Sequence, residues 1–323
     1  MEGGDGFASD KRLEDTRRQT PDMKTIPDAS LMNRRAVMWR GSLCLAAGIA
    51  SPMLATDETA SPLLRIGLLT DLHYGDKEPT KTRYYRETPG KLKEAVAKFN
   101  EIKPAFVIEL GDLIDQAPTV EQEIAWLEEI DMIYAGLTCP RHYVLGNHCV
   151  ATLTKEEFAQ HSGASKKPHY SFDQNGVHFV VLDACYRSDG APYGRNNADW
   201  KDANVPEAEL EWLRKDLAAT AGPVVVFAHQ RLDEAAPHSV LNATAVRKVL
   251  EDSGKVLAVF QGHSHKNDYQ EIQGIHYCTL VALIEGSGAD NNGYAVLEVM
   301  PDRSLRLQGF RQQVDQKWAG KAG

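Results

Sequence analysis

Five short, mostly apolar runs recur along the chain, and polar residues follow each of them. The runs occupy residues 64–70, 106–110, 142–145, 224–227 and 256–260. Short apolar runs that end at turn-forming residues are typical of buried strands. The pattern therefore predicts five β-strands at these positions.

Helical stripes and a hairpin signal lie between the runs. Apolar residues three and four positions apart predict three helices, marked by Leu92, Ala95, Val96 and Phe99, by Ile124, Leu127 and Ile130, and by Leu210, Leu213 and Leu217. Thr88-Pro favours the start of the first helix, and Thr119-x-x-Gln resembles a capping box before the second. Asn175-Gly predicts a two-residue hairpin turn.

The pattern changes toward the C-terminus. Residues 186–205 are polar and rich in Gly, Pro and Asn, which predicts a long loop. Residues 271–307 resemble antiparallel strands with a turn at Pro301-Asp302. Strands that first alternate with helices and later pair antiparallel predict an α/β fold with two packed sheets and helices outside.

The first 55 residues differ from the rest. Residues 1–31 are polar and without apolar periodicity, as expected for disorder or for a misassigned start. Residues 32–55 combine a basic start, Arg34-Arg35, with a mostly apolar stretch, which is typical of an export signal and compatible with the twin-arginine route. The alternative is a disordered tail with a chance apolar patch, in which case the protein is cytoplasmic. We expect the folded domain at 62–312 and a tail at 313–323.

Composition limits the class of protein. The chain has 323 residues, 42% of them hydrophobic, and a formal net charge of −9. An acidic chain argues against a broad nucleic-acid-binding surface. The five cysteines show no paired spacing, so buried free thiols are expected and not a disulfide framework.

Five polar blocks at the ends of the predicted strands carry the candidate chemistry. They are Asp71-Leu-His73, Gly111-Asp112-Leu-Ile-Asp115, Gly146-Asn147-His148, Ala228-His229 and Gly262-His263-Ser-His265. Strand ends in an α/β sheet project side chains into one crevice. Carboxylates, an amide and imidazoles gathered there form a suitable donor set for a pair of divalent metal ions.

These blocks resemble those of the calcineurin-like metallophosphoesterase superfamily over about residues 64–300. Within it the chain is most similar to the manganese-dependent ADP-ribose/CDP-alcohol diphosphatases, on Arg83-Tyr-Tyr-Arg86 and on the segments 262–269 and 274–277. The chain departs from that group at His73, where a Gln is usual, and at Cys149, where an acid is usual. Both departures bear on the substrate and not on the chemistry.

The resemblance implies a fold, a metal centre and a reaction. The fold is a four-layer α/β/β/α sandwich with two mixed sheets flanked by helices. By this resemblance Asp112 bridges two metal ions. One ion is completed by Asp71, His73 and His265, and the other by Asn147, His229 and His263. A hydroxide that bridges the metals attacks phosphorus. Manganese is expected, and iron, zinc and nickel suit the same donors.

The resemblance also assigns His148 and Asp115. His148 follows a metal ligand and is expected to aid the leaving group, while Asp115 orients its imidazole. The alternative for Asp115 is a turn or helix-cap aspartate.

Candidate substrate-binding residues follow the first block. Arg83, Tyr84, Tyr85 and Arg86 can hold a phosphate and stack on a base or sugar; the alternative is a solvated approach to the first helix. Gln230 and Arg231 follow His229. They can donate a hydrogen bond to phosphate, and a purely structural role is an equal alternative. Tyr186, Arg187 and Arg195 in the long loop can line the same site, but a role without function is favoured for them. A structural or surface role is expected for the remaining histidines, His142, His161, His169, His178, His238 and His276.

The expected function is hydrolysis of a phosphodiester or of a diphosphate-linked small molecule, of the ADP-ribose or CDP-alcohol type. A phosphomonoesterase or phosphoprotein phosphatase of the same fold is the alternative. Phosphoprotein phosphatases of the superfamily usually carry an Arg after the second block, and Gln116-Ala follows Asp115 here, which weakens that second option. A non-catalytic scaffold would have lost ligands, and none is lost here. No nucleic acid, stable membrane insertion or protein partner is expected.

Overall fold

The computed structural model describes residues 60–234 and 237–320. The strands are β1 (Leu64–Leu69), β2 (Phe106–Glu109), β3 (Arg141–Tyr143), β4 (Tyr170–Gln174), β5 (Val177–Val181), β6 (Val224–Phe227), β7 (Val256–Gln261), β8 (Asp268–Ile272), β9 (Ile275–Thr279), β10 (Gly293–Val299), β11 (Leu305–Arg311) and β12 (Gln316–Trp318). The helices are α1 (Thr88–Ile102), α2 (Val120–Tyr134), α3 (Lys155–His161), α4 (Glu207–Ala219) and α5 (Ala243–Ser253).

The strands form two six-stranded mixed sheets. The first has the order β12-β11-β10-β1-β2-β3, and the second has the order β4-β5-β6-β7-β9-β8. β1, β2 and β3 are parallel to one another, and so are β5, β6, β7 and β9. The predicted strands that precede the polar blocks therefore lie side by side within each sheet.

Three buried clusters show how the layers pack. Ile66 and Phe106 of the first sheet meet Phe179 and Phe227 of the second in the cluster between the sheets. α1, α2 and α3 cover the outer face of the first sheet, and α4 and α5 cover the second. This arrangement confirms the four-layer α/β/β/α fold.

Local sequence accounts for several element boundaries. α1 begins at Thr88 with proline in its first turn, and the Thr119 side chain accepts a hydrogen bond from the Gln122 amide at the start of α2. Asn175 and Gly176 both have positive φ, as a two-residue turn between β4 and β5 requires.

The folded domain continues beyond residue 312, where the sequence analysis ended it. β12 pairs with β11, and the ring of Trp318 packs against Phe260 with centroids 6.0 Å apart. A three-residue strand is too short to show an alternating pattern, which is why we assigned this segment to the tail. α3 was missed for a similar reason, although Thr154 and Glu157 form a capping box before it.

The proposed export signal at 32–55 and the segment 1–31 lie outside the described residues. Within 60–234 and 237–320, no helix is long and apolar enough to cross a bilayer. Cys139, Cys149, Cys185 and Cys278 are free thiols in the same part of the chain, as expected.

Candidate metal centre

The five polar blocks meet in one place. They follow β1, β2, β3, β6 and β7 at the carboxyl ends of parallel strands. Backbone bonds hold the blocks together: the amide of Asp71 donates to Gly111 at 2.9 Å, that of His73 to Asp112 at 2.7 Å, and that of Gly262 to His229 at 3.0 Å. Backbone pairing thus joins blocks within each sheet, while the Asp71 and Asp112 carboxylates accept the amides of His263 and His148 and so join the remaining blocks to them.

Asp112 lies at the middle of the site. Its Oδ2 is 3.1 Å from Nε2 of His229 and 3.5 Å from Nε2 of His73. Its Oδ1 accepts a hydrogen bond from the His148 amide at 2.7 Å. One carboxylate thus faces imidazoles from two different sheets.

Two groups of donors flank Asp112. In the first cluster, Asp71 Oδ1 lies 3.3 Å from His265 Nε2 and 3.6 Å from His73 Nε2, and these two nitrogens are 3.1 Å apart. In the second cluster, His263 Nδ1 lies 3.2 Å from His229 Nε2. Donor atoms of Asp71, His73 and His265 lie within 4.8 Å of one another, and so do those of Asp112, His229 and His263. A third such group, His73, Asp112 and His148, lies between them.

The donors fit a pair of divalent cations. Asp71 Oδ1, Asn147 Oδ1 and His263 Nε2 are buried without a hydrogen-bond partner among the described residues. A buried polar atom without a partner costs roughly 1–3 kcal/mol, so several together indicate a missing ligand. Carboxylate, amide and imidazole donors suit manganese, and they also suit iron, zinc and nickel. We therefore take these residues as candidate ligands of two metal ions.

Charge and burial favour the metal-binding forms of some of these groups but not of all. For His229 and His265, burial lowers the pKa, but attraction to Asp112 and to Asp71 respectively outweighs it and raises both values, that of His265 to about 9, so metal binding must displace a proton there. Burial lowers the pKa of His73 to about 4 and that of His263 to about 3, so both imidazoles are neutral near pH 7, as a ligand must be. Burial alone raises the pKa of Asp71 and Asp112. Attraction by the surrounding imidazoles, led by His265 for Asp71 and by His229 for Asp112, outweighs burial and holds both values below the ordinary range.

Two of the imidazoles are held by a hydrogen bond at Nδ1, the ring nitrogen that does not face Asp112 or Asp71. His229 donates from Nδ1 to the Leu110 carbonyl at 2.9 Å, which leaves Nε2 directed at Asp112. Nδ1 of His265 lies 2.7 Å from Glu285 Oε1, which leaves its Nε2 directed at Asp71. Metal-bound histidines are commonly fixed in this way. Sequence analysis missed Glu285, because it follows β9 in a segment that carries no recognisable motif.

The backbone at the site is strained. Asp71, His73, Asp112, His263 and His265 all have positive φ, between 47° and 69°. Non-glycine residues rarely adopt this conformation, and they do so mainly where function requires it. These five residues belong to three of the five blocks, so the strain lies in the segments that follow β1, β2 and β7.

His148 and Asp115 form a pair beside Asp112. Nδ1 of His148 bonds to Asp115 Oδ1, and Lys77 lies 3.3 Å from Asp115 Oδ2. Burial lowers the pKa of His148, but its attraction to Asp112 and its bond to Asp115 raise it more, so the net shift is upward. His148 also lies close to His73, with ring centroids 4.6 Å apart. Its imidazole is thus held at the edge of the first cluster.

An open pocket of about 740 Å³ adjoins the candidate ligands. Arg83, His263, His265 and Lys266 are among its lining residues. Glu285 lines the same pocket and lies opposite Arg83 in a backbone bridge, where the guanidinium attracts its carboxylate. The three cations Lys81, Arg83 and Lys266 outnumber this one carboxylate in the lining. The pocket therefore presents positive charge next to the candidate metal ligands.

The structure separates the members of the Arg83–Arg86 segment. Arg86 pairs with Asp76 and Glu78 and does not line the pocket. Tyr85 is buried, with its ring beside Lys77, and also contributes to the pocket wall. Tyr84 is half-buried and is not among the lining residues. Only part of the segment is therefore placed to meet a ligand.

Other candidates serve the fold. Arg231 is buried and pairs with Asp233 and Asp268, and Gln230 is buried with its amide 3.6 Å from Cys185 Sγ. Each of the three candidates in the long loop has a partner: Tyr186 lies below Lys155, Arg187 pairs with Asp189, and Arg195 pairs with Glu157.

Five of the remaining histidines also contact other side chains. These contacts are His142 with Phe172, His161 with Glu128, His169 with Glu209, His178 with Asp216, and His276 with Tyr269.

One histidine for which a structural or surface role is expected also lines the pocket. His238 is 39% exposed and stacks on Trp200, with ring centroids 5.4 Å apart. Both rings adjoin His263, at 5.7 and 6.0 Å respectively. Trp200 belongs to the long loop at 186–205, and its aromatic character among polar residues was the available signal.

Comparisons with known proteins agree with this geometry. The model of the family described as calcineurin-like phosphoesterase matches residues 64–267. A manganese-dependent ADP-ribose/CDP-alcohol diphosphatase of Arabidopsis thaliana is 23% identical, over 69% of this chain and 87% of its own. A human protein named serine/threonine-protein phosphatase CPPED1 is 24% identical, over 69% of this chain and 73% of its own. The crystal structure of a dimetal phosphatase from Danio rerio has the same fold, with a TM-score of 0.69 and 22% identity over 81% of this chain and all of that one.

Proposed function

This chain belongs to the calcineurin-like phosphoesterase family, and we propose that it hydrolyses a small molecule containing a diphosphate or phosphodiester, of the ADP-ribose or CDP-alcohol type. That the protein is a hydrolase that uses two divalent metal ions follows from the family and its named relatives. The substrate class is the proposal. It rests chiefly on the pocket beside the candidate ligands, which Lys81, Arg83 and Lys266 line together with a single carboxylate, that of Glu285.

Seven residues would hold the metal ions. Asp112 would bridge them, while the first cluster with Asp71, His73 and His265 and the second with His229, His263 and Asn147 would complete each site. Bound divalent ions supply polarisation of phosphoryl oxygens and a water of lowered pKa. The chain supplies the fixed positions at which this chemistry takes place.

His148 would protonate the leaving oxygen. Its Nδ1 is held by Asp115, so Nε2 is the free ring atom and Asp115 fixes its direction. The raised pKa of His148 keeps its imidazole protonated to higher pH than an isolated histidine. An imidazolium beside the reacting phosphorus can donate a proton to a poor leaving group.

Arg83 would bind the phosphate that is not attacked. Arg83 lines the pocket together with His263 and His265, and a guanidinium can hold a phosphate through two hydrogen bonds. The pocket volume lies in the range of roughly 300–1,000 Å³ that is usual for small-molecule sites. Arg86 has no such role in this proposal, because Asp76 and Glu78 neutralise it.

A second function, dephosphorylation of phosphoproteins, is favoured by one observation. Relatives named serine/threonine-protein phosphatase CPPED1 match this chain at 23–26% identity over 65–69% of its length, beside 22–24% over 69–82% for the diphosphatases. Such a substrate brings one phosphate to the site, so it would not need Arg83 for a second.

A hydrolysis screen with added Mn²⁺ distinguishes the two functions. It compares ADP-ribose, CDP-alcohols, a cyclic nucleotide, aryl phosphate mono- and diesters, and a phosphoserine peptide. Arg83→Ala should lower kcat/KM for diphosphate-linked substrates by roughly 10–150-fold, the equivalent of a charge-assisted contact of about 1.5–3 kcal/mol.

Arg86→Ala is the matched control, because it removes an equal charge three residues away. It should behave like wild type with every substrate. If Arg83→Ala also leaves diphosphate hydrolysis unchanged, or if only the phosphopeptide is cleaved, the proposed substrate class is wrong.

We also propose that the protein is exported. The support is the basic and apolar composition of residues 32–55, which matches a signal peptide. Mass spectrometry of the protein from its native cell should find a mature chain that starts after this segment. An intact segment in the cytoplasmic fraction would contradict the proposal.

A further inference from the structure

Glu285 makes a contact that the proposed function does not yet use. Its Oε1 lies 2.7 Å from Nδ1 of His265. The imidazole is 11% exposed and the carboxylate 26% exposed, so the pair is largely shielded from water. A hydrogen bond in such a setting restrains the imidazole ring more firmly than one in open solvent.

The two clusters differ in this respect. In the second cluster, the corresponding bond of His229 goes to a neutral backbone carbonyl, that of Leu110. Nδ1 of His73 in the first cluster has no hydrogen-bond partner among the described residues. His265 is therefore a candidate ligand with a carboxylate behind it, and Glu285 restrains the first cluster only.

The backbone fixes the position of Glu285. The amide of Tyr84 donates to the Ile284 carbonyl at 3.2 Å, and the amide of Gly286 donates to Thr82 at 2.7 Å. These bonds pair the segment 282–286 with the segment that carries Arg83, and Arg83 and Glu285 lie opposite each other in this bridge. Glu285 thus joins the pocket wall to His265.

We propose that Glu285 is a positioning residue that holds His265 toward the metal ion of the first cluster. By this route it raises the affinity of that site alone. The inference rests on the metal-ligand roles in the proposed function. Loss of a residue behind a metal-bound histidine typically lowers metal affinity by about 10–100-fold.

The test is calorimetric titration of metal-depleted protein with MnCl₂, without substrate. Wild type should bind two Mn²⁺ ions. Glu285→Ala should bind one of them about 10–100-fold more weakly and the other unchanged. Glu285→Gln should recover most of the loss, because its amide oxygen can still accept the bond from His265. With saturating Mn²⁺, Glu285→Ala should regain most of its kcat.

Glu128→Ala provides a matched control. Glu128 Oε1 lies 2.8 Å from Nδ1 of His161 at an exposed position on α2, so this variant removes the same kind of pair away from the centre. It should bind Mn²⁺ as wild type does. Circular dichroism of both metal-depleted variants checks that they are folded.

The outcomes separate this inference from the proposed function. Equal Mn²⁺ affinities for Glu285→Ala and wild type would overturn the role of Glu285 while leaving the metal centre intact. Equal weakening of both ions would also overturn it, because the effect would not be specific to the first cluster. A wild-type protein that binds no Mn²⁺ would overturn the proposed centre and this inference together.

Discussion

Gly146 offers a test of how closely the blocks are packed. A Cβ at this position would lie 2.2 Å from Asp112 Oδ1 and 2.3 Å from the Asp112 amide nitrogen, whereas ordinary contacts begin at 3.4 Å. The φ of Gly146 is not positive, so alanine fits the backbone conformation itself. Gly146→Ala therefore perturbs the site through contact with Asp112.

The size of the effect follows from the overlap. Relief of the clash requires Asp112 or the Gly146 loop to move by about 1 Å, and misplacement of this size can cost about 10²-fold in rate. Because Asp112 faces both clusters, its displacement should also reduce metal content. We expect kcat/KM to fall by about 10²-fold or more, with fewer than two Mn²⁺ ions retained per chain.

The assay compares hydrolysis of an aryl phosphodiester with Mn²⁺ content after dialysis. Gly90→Ala is the control, because a Cβ at this position in α1 would meet nothing within 4 Å. That variant should keep full activity and gain up to about 1 kcal/mol in stability from better helix propensity. If Gly146→Ala retains two metal ions and activity within twofold of wild type, the contact does not constrain Asp112 as we argue.

Two further predictions concern histidines. His148→Ala should keep its metal ions and lose roughly 10²–10⁴-fold in rate with alkyl leaving groups but much less with nitrophenyl, which needs no proton; equal losses would exclude proton donation. For His178, burial lowers the pKa, but the hydrogen bonds to Asp216 and Asp173 have the larger effect, so the net shift is upward from the ordinary value of 6.5. Wild type should therefore exceed His178→Gln in free energy of unfolding by the full amount below about pH 6.5, and by less as pH rises through the raised pKa. Urea unfolding of both proteins at about pH 6 and about pH 9 measures this difference. An equal difference at both pH values would contradict the prediction.

Strong periodicity and turn chemistry made much of the fold predictable. The apolar run at 224–227 coincides with β6, and Asn175-Gly marks the turn between β4 and β5 because few sequences tolerate positive φ at two consecutive residues. β12 was not predictable, because its three residues are held by pairing with β11 and by the packing of Trp318. Such strands depend on tertiary contacts that leave no local pattern.

The site was predictable to the extent that its residues sit at strand ends. Asp71 and His263 are far apart in sequence, yet the amide of His263 bonds to Asp71 Oδ2 at 3.0 Å, as convergence of strand ends implies. Glu285 was missed because its role depends on where one loop lies against His265. Arg83 and Arg86 look alike in sequence, and only the position of the acidic residues Asp76 and Glu78 distinguishes them.

The central claim is that two metal ions share Asp112 and that hydrolysis depends on them. The most direct measurement is the metal-to-protein ratio of Asp112→Asn beside that of wild type, by elemental analysis after dialysis, with activity assayed on the same samples. We expect two ions and full activity for wild type, and a joint loss of metal and activity for Asp112→Asn, because a neutral amide bridges two cations poorly. Two bound ions and full activity in Asp112→Asn would contradict it.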